Sequence, residues 1–208
     1  ADLATQGKAG MLILGEPSIT PAVSGLLEDG KPSGAPADLA EKWKKIIANV
    51  RSHFKGTIYW ATAFPQGTKA LPIFIDSLDG LYVLWSAPIN VSASAKEAEM
   101  VTEIGRLFDQ ELIKIKEAVK KPMIIGINPG SFDGAVKGCA TVGSSCLPVD
   151  SLNQPAADIS TLNVDLAEQA SIYNAFLTVL NTRKWIDGFV SRGYYPPAAV
   201  QDKSSSIH

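Results

Sequence analysis

The chain has 208 residues, 46% hydrophobic and 19% charged, enough apolar side chain to bury one sizeable core and too little charge for a disordered segment. A formal net charge of −2, with Lys and Arg scattered, offers no basic field to a phosphate backbone and excludes nucleic acid as an expected partner. No apolar run reaches the roughly 18 residues of a membrane span and no stretch has signal-peptide order, so no membrane partner is expected either. The chain begins with Ala, which suggests a processed protein or a piece of something longer.

Residues 1 to 10 carry no pattern. Met11 to Gly15, MLILG, reads as a strand buried on both faces, of the kind found in a parallel sheet covered by helices. Glu16 stands at its carboxyl end and Pro17 comes next. In a barrel of parallel strands this is the edge where side chains meet substrate. An ion pair with a neighbouring loop would place a carboxylate there equally well. The Pro- and Gly-containing stretch Ser18 to Pro36 then reads as a long loop forming one wall of a cleft.

From Asp38 the period changes. Leu39, Trp43, Ile46, Ile47, Val50 and Phe54 recur at three- and four-residue steps, an amphipathic helix capped by Asp38 and ending at Gly56. Trp43 belongs to its apolar stripe and His53 to its end. Thr57 to Ala63, TIYWATA, is the second strand; Tyr59 and Trp60 point to opposite sides, so one should face inward as a plane for a sugar ring and the other should pack under a helix. Pro72 begins a brief helix. Leu81 to Ile89 is the third strand, with Trp85 near its carboxyl end as a binding platform or a packing residue. Lys96 to Lys121 is a long helix with Met100, Ile104, Leu107, Phe108, Ile115 and Val119 on one face.

Met123 to Ile127 is the fourth strand and opens into Asn128-Pro129-Gly130-Ser131-Phe132-Asp133-Gly134. Residues 128 to 163 form the longest excursion. It holds Cys139 and Cys146, close enough in a Gly/Ser-rich loop for a disulfide, which would favour an oxidising compartment. Two reduced thiols are the alternative, and zinc is disfavoured because His53 and His208 lack ligand spacing to the pair. A helix from Val164 to Asn181 carries the stripe Leu166, Ala170, Tyr173, Phe176, Leu177 and Leu180. Asp165 and Glu168 at its start suit the helix dipole. Trp185 to Val190 is the last strand, running into Arg192, Tyr194 and Tyr195. Five strands alternating with helices imply right-handed crossovers and a parallel α/β sheet. The absence of a G-x-G-x-x-G or P-loop fingerprint favours a β/α barrel over a doubly wound, nucleotide-binding sheet.

Three segments in order, GEP after the first strand, W-x-x-I-I-x-x-V-R-x-x-F-x-G-T-I-Y from Trp43 and A-E-Q-A-x-I-Y-N-A-F from Ala167, resemble TIM-barrel glycoside hydrolases of the large retaining clan, most closely the mannanase-like family 113. The resemblance covers the carboxyl-terminal two thirds of such a barrel. It implies one barrel-like domain over residues 1–208 that holds strands four to eight and lacks strands one to three. Glu16 then matches the clan's acid/base glutamate by position and by Pro17, with Gly15 in place of the usual Asn.

At the seventh barrel strand, where the clan places its nucleophilic Glu, the sequence reads IIGINPGSFDG, with Gly126 or Ile127 at the expected place. Retaining hydrolysis needs two carboxyls about 5–5.5 Å apart and inversion roughly 6.5–9.5 Å. Asp133 is the nearest acid, and a loop folding back would suit the wider spacing; turn chemistry before Gly134 is its alternative reading. Asn128, Arg192, Tyr194 and Tyr195 join Tyr59 or Trp60 and Trp85 as candidate sugar contacts. The expected protein is a secreted hydrolase of a β-linked poly- or oligosaccharide, needing no cofactor and no metal, with Glu16 as proton donor. A degenerate barrel that binds or scaffolds carbohydrate without cleaving it is the rival, and the absent strand-seven Glu is its signature. The third possibility, an ester or amide hydrolase, lacks a G-x-S-x-G elbow and a well-placed His. Five βα units leave open sheet edges, so self-association or a missing amino-terminal barrel segment is expected.

Overall fold

Short runs of β-branched and aromatic residues form the strands and the amphipathic stretches between them form helices. The computed structural model describes residues 1–15, 31–65, 71–89, 92, 95–148 and 162–191. In chain order the elements are α1 (Asp2–Gln6), β1 (Met11–Leu14), α2 (Leu39–His53), β2 (Thr57–Phe64), β3 (Gly80–Trp85), α3 (Glu97–Leu107), α4 (Ile113–Val119), β4 (Met123–Ile127), β5 (Cys139–Val142), β6 (Ser145–Pro148), α5 (Leu166–Asn181) and β7 (Gly188–Ser191). Single 3-10 turns lie at Ile75–Ser77 and Ala135–Lys137, and a π turn, Phe108–Leu112, joins α3 to α4. The chain divides into two units, Ala1–Trp85 with Ile115–Gly126 and Ile186–Phe189, and the described residues within 86–114, 127–185 and 190–191.

The first unit is built on a five-stranded sheet of order β1-β2-β3-β4-β7, in which β1/β2, β2/β3 and β3/β4 pair in parallel. Within this sheet each strand lies beside the next of its strands in chain order, β5 and β6 forming a separate hairpin, and the order never reverses. A doubly wound sheet requires such a reversal at its ligand site, whereas a barrel wall does not. The expected parallel α/β sheet of barrel type is therefore what the chain forms.

Register fixes the two faces. Trp60 pairs with Leu81 and Phe64 with Trp85, while Ala61 pairs with Tyr82 and Tyr82 with Ile124. Because alternate residues point to opposite sides, Ile58, Trp60, Phe64, Leu81, Val83 and Trp85 share one face. On the other, Tyr59, Ala61, Tyr82 and Ile124 form a buried cluster with Met11 packed against it. Near-continuous burial on both faces is what the unbroken apolar runs of β2, β3 and β4 require. β1 departs from the expected double burial: it is the first strand of the order, and Ile13 is 39% exposed.

Helix α2 buries Leu39 and Ile47, but Ile46 of its expected stripe is exposed. Asp38 occupies the cap position without a side-chain cap bond; its carboxylate pairs instead with Lys42 at 3.0 Å. The third strand stops at Trp85, short of Ile89, where the Ser86-Ala87-Pro88 segment ends in a residue with no amide to donate.

In the second unit α3 begins at Lys96, whose amide donates to Glu99 Oε2 at 2.9 Å. The π turn interrupts the single long helix expected, and both Phe108 and Leu112 are fully buried there. Phe108 packs on Phe176 and Trp185, so Trp185 precedes β7 as a packing residue instead of opening the strand. Helix α5 buries Ile172, Ala175, Phe176 and Val179, a face rotated from the expected stripe, with Leu166 and Leu177 exposed. The excursion after β4 contains an antiparallel hairpin that the sequence pattern does not announce, β5 with β6, turning at Gly143 with φ 59°.

Candidate functional site

The carboxyl ends of parallel strands are where a β/α sheet presents chemistry, so the candidate site is built from the segments that leave those ends. β1 runs into Gly15, which adopts φ +77°, and a Cβ there would approach Trp60 Cη2 to 2.7 Å. That contact explains glycine at this position: the indole of β2 fills the space a side chain would need, and the left-handed backbone favours Gly. Glu16, the next residue, lies outside the described residues, as do Arg192, Tyr194 and Tyr195 after β7.

The three aromatic candidates in the sheet take packing positions. Trp60 is buried edge-on against the stacked Trp43 and Phe74, with ring centroids 5.0 and 5.1 Å away. Trp85 is buried on the same face, against Phe64 at 4.8 Å. Tyr59 lies on the opposite face but at the amino end of the sheet, paired with Gly80, the first residue of β3. Burial raises the Tyr59 hydroxyl above its usual value, and the charges of Asp187 and Asp79 raise it further. Those two acids tie strand starts together. Asp79 Oδ2 accepts from Ile58 N at 2.7 Å while its other oxygen meets Arg51 at 2.9 Å. Asp187 Oδ2 accepts from Met123 N at 2.8 Å and from Lys116 Nζ at 2.6 Å. Burial alone would raise the Asp187 carboxyl; the Lys116 bond, the Met123 amide and the Lys116 charge outweigh it and hold the group below its usual value. The amino end of a barrel sheet serves stability, and Tyr59 is placed there.

At the exit of β4 the place expected for a second carboxylate falls on Gly126 or on Ile127, which is buried. Tyr82, on the adjacent strand, lays its hydroxyl where a Cβ of residue 126 would fall. A glycine is demanded here by the phenol beside it.

Asn128 comes directly after β4 and is exposed. The next residues are gripped, one after another, by the start of α5. Gln169 Nε2 donates to Pro129 O at 2.9 Å and Asp165 N to Ser131 O at 2.8 Å. Phe132 bridges Val164, and Asp133 N donates to Asn163 O at 3.0 Å. Glu168 then accepts twice, from Gly134 N at 2.9 Å through Oε2 and from Val136 N at 2.8 Å through Oε1. Asp165 Oδ1 in turn accepts from Glu168 N at 2.8 Å, capping the helix. On its far side the loop is tied to β5, where Thr141 N donates to Asp133 O at 2.8 Å.

Asp133 is therefore fixed at its backbone on both sides, and its half-buried carboxylate has no hydrogen-bond partner among the described residues. The hairpin that holds it is closed by the Cys139–Cys146 disulfide, with the Cα atoms 5.4 Å apart. Sequence reasoning misses the clamp by Glu168 and Gln169. Its one visible signal is the Asp165-x-x-Glu168 spacing, which belongs to helix starts and says nothing of a distant loop.

Among the described residues no group of three His, Cys, Asp or Glu is arranged to hold a metal ion, and no helix is long and apolar enough to cross a membrane. Comparison with known proteins identifies the family. The family model described as Glycoside Hydrolase Family 113 matches residues 36–204. The chain belongs to Glycoside Hydrolase Family 113. Two solved structures show the family 113 fold against which it superposes. A complex of a GH113 β-1,4-mannanase shares 21% identity at a TM-score of 0.54, covering 91% of this chain and 47% of that one. The GH113 β-mannanase AaManA from Alicyclobacillus acidocaldarius, in complex with ManMIm, shares 18% identity at a TM-score of 0.53, covering 99% of this chain and 51% of that one. This family 113 chain thus spans about half the length of the mannanases it matches. No curated protein matches it.

Proposed function

We propose that this family 113 chain contributes to hydrolysis of a β-linked poly- or oligosaccharide, with a β-1,4-mannan as the first substrate to test, and that Glu16 is its general acid. The observation that carries the reading is family membership combined with the parallel sheet: Glu16 comes two residues after the end of β1, at the edge where such sheets carry their chemistry. A proton donor must hold its proton until the leaving oxygen needs it, and apolar sequence neighbours such as Leu14 and Pro17 are compatible with that.

Asp133 is the proposed second carboxylate, its backbone fixed and its oxygens unpaired among the described residues. Asn128, Arg192, Tyr194 and Tyr195 are the proposed sugar contacts, and the β5–β6 disulfide accords with action outside the cytoplasm. Assay of Glu16→Gln on mannan and manno-oligosaccharides tests the assignment: loss of a general acid lowers kcat by about 10²–10⁴-fold. Unchanged turnover in that variant would remove Glu16 from the mechanism.

One observation favours a second reading, that the chain binds carbohydrate without cleaving it. Tyr82 fills the space a side chain would need at Gly126, one of the two positions expected for the nucleophile. Calorimetric binding of manno-oligosaccharides by wild-type protein that releases no reducing ends would establish it.

A further inference from the structure

We infer that Glu168 is a positioning residue for Asp133, and that its bidentate grip sets where that carboxylate stands against the saccharide; the inference rests on the hydrolase reading. A carboxylate at the third position of a helix ordinarily caps its own first turn. Glu168 instead turns both oxygens outward onto the amides of Gly134 and Val136, on a segment more than 30 residues earlier. The two amides flank Ala135, the first residue of the short turn after Asp133, so a single side chain fixes the backbone immediately after the candidate acid.

The local geometry leaves no slack to replace that grip. Gly134 takes φ +92°, and a Cβ there would meet Cys139 O and Thr141 Oγ1, each at 2.6 Å, so the loop turns against the hairpin at its closest approach. Gln169 and Asp165 hold the earlier residues Pro129 and Ser131 through single bonds, whereas Glu168 makes two charge-assisted ones. Such bonds are the stronger kind, and displacing a reacting group by about 1 Å can cost 10²-fold in rate. A residue that sets the loop without touching substrate should act on the chemical step more than on affinity.

Glu168→Gln keeps the side chain's length but leaves one oxygen for two amides. The test measures kcat and KM on manno-oligosaccharides for the full-length wild type, Glu168→Gln and Arg183→Ala. The last removes the Arg183–Asp109 pair at the opposite end of α5 as a stability control, and thermal melts are recorded for all three. The expected result is a roughly tenfold or larger drop in kcat for Glu168→Gln with KM within about twofold of wild type, while Arg183→Ala retains wild-type kcat. An equal loss of kcat in both variants, or a Glu168→Gln protein with wild-type kcat, overturns the inference and leaves the hydrolase reading standing. Wild-type protein that neither binds nor cleaves any manno-oligosaccharide overturns both.

Discussion

Trp60 separates a packing role from a sugar-binding one, and truncating it gives the two roles opposite signatures. The indole is only 4% exposed and sits edge-on against the stacked Trp43 and Phe74, with Gly15 pressed against its six-membered ring. Trp60→Ala removes the whole ring system from beside the stacked Trp43–Phe74 pair, whose centroids lie 5.0 Å apart. Large aromatic truncations of this kind cost about 3–5 kcal/mol, and two edge-to-face contacts at about 0.5–1.5 kcal/mol each put this one at the top of that range. For a chain of this size roughly 2–4 °C is lost per kcal/mol, so Tm should fall by about 10–20 °C. Trp60→Phe retains one ring and should lose about 1–2 kcal/mol. Urea and thermal unfolding monitored by circular dichroism measure both, with saccharide affinity determined on protein kept well below its melt. A stability loss under about 1 kcal/mol accompanied by a tenfold weaker affinity would refute the packing assignment and restore Trp60 as a sugar platform.

Gly126→Ala drives a methyl group onto the Tyr82 ring and should cost about 1–3 kcal/mol; in a Tyr82→Phe background the cost should change by at least about 0.5 kcal/mol, and strict additivity in that double-mutant cycle would refute the contact. Asp187→Asn tests the link across strand starts. The Asp187 carboxyl is held below its usual value of 3.8, so its contribution is complete above that pH and is lost as pH falls through the lower folded value. At 42% side-chain exposure the contribution is screened and amounts to less than about 1 kcal/mol. Melts of wild type and variant should therefore differ at pH 7 and converge in acid below the usual value; a gap that is constant or widens toward acid would contradict the Lys116 and Met123 bonds.

Local contrast decides which parts of this fold are legible in the sequence. The apolar runs at residues 11–14, 57–64 and 123–127 have no competing period, and α2 alternates Trp43 and Ile47 with lysines, so type and rough extent can be read directly. α5 offers no such contrast. Leu166, Leu177 and Leu180 are as apolar as the buried Ile172, Phe176 and Val179, so either face could be the core. The alternation of Tyr59 and Trp60 is visible, but only register shows that Tyr59 meets the first residue of β3 and so stands at the amino end. The π turn depends on burying Phe108 and Leu112 together, and the Glu168 clamp on a loop more than 30 residues away; neither leaves a periodic trace. Glu16, Arg192, Tyr194 and Tyr195, read from motif order and position, lie outside the described residues.

The composition of the strands decides where any acid chemistry in this chain must come from. β1, β2, β3, β4 and β7 contain no Asp, Glu, Lys, Arg or His, and β2, β3 and β4 close on Phe64, Trp85 and Ile127, all three buried. The sheet strands therefore supply a frame and no carboxylate. Asp133, the acid candidate among the described residues, belongs to a connecting segment whose backbone is held from outside the strand it follows. For Asp133 the grips are Asn163 and Thr141 on its own backbone, and Glu168 on the two amides just beyond. Variation at the α5 start or in the disulfide-closed hairpin should accordingly alter catalysis with little change in the sheet, whereas variation at Trp60 or Gly126 should alter the sheet first. Hydrogen exchange in Glu168→Gln separates the two: faster exchange confined to Gly134 and Val136, with β2, β3 and β4 protected as in wild type, is the expected pattern, and loss of protection throughout the sheet would show that loop and frame are one cooperative unit.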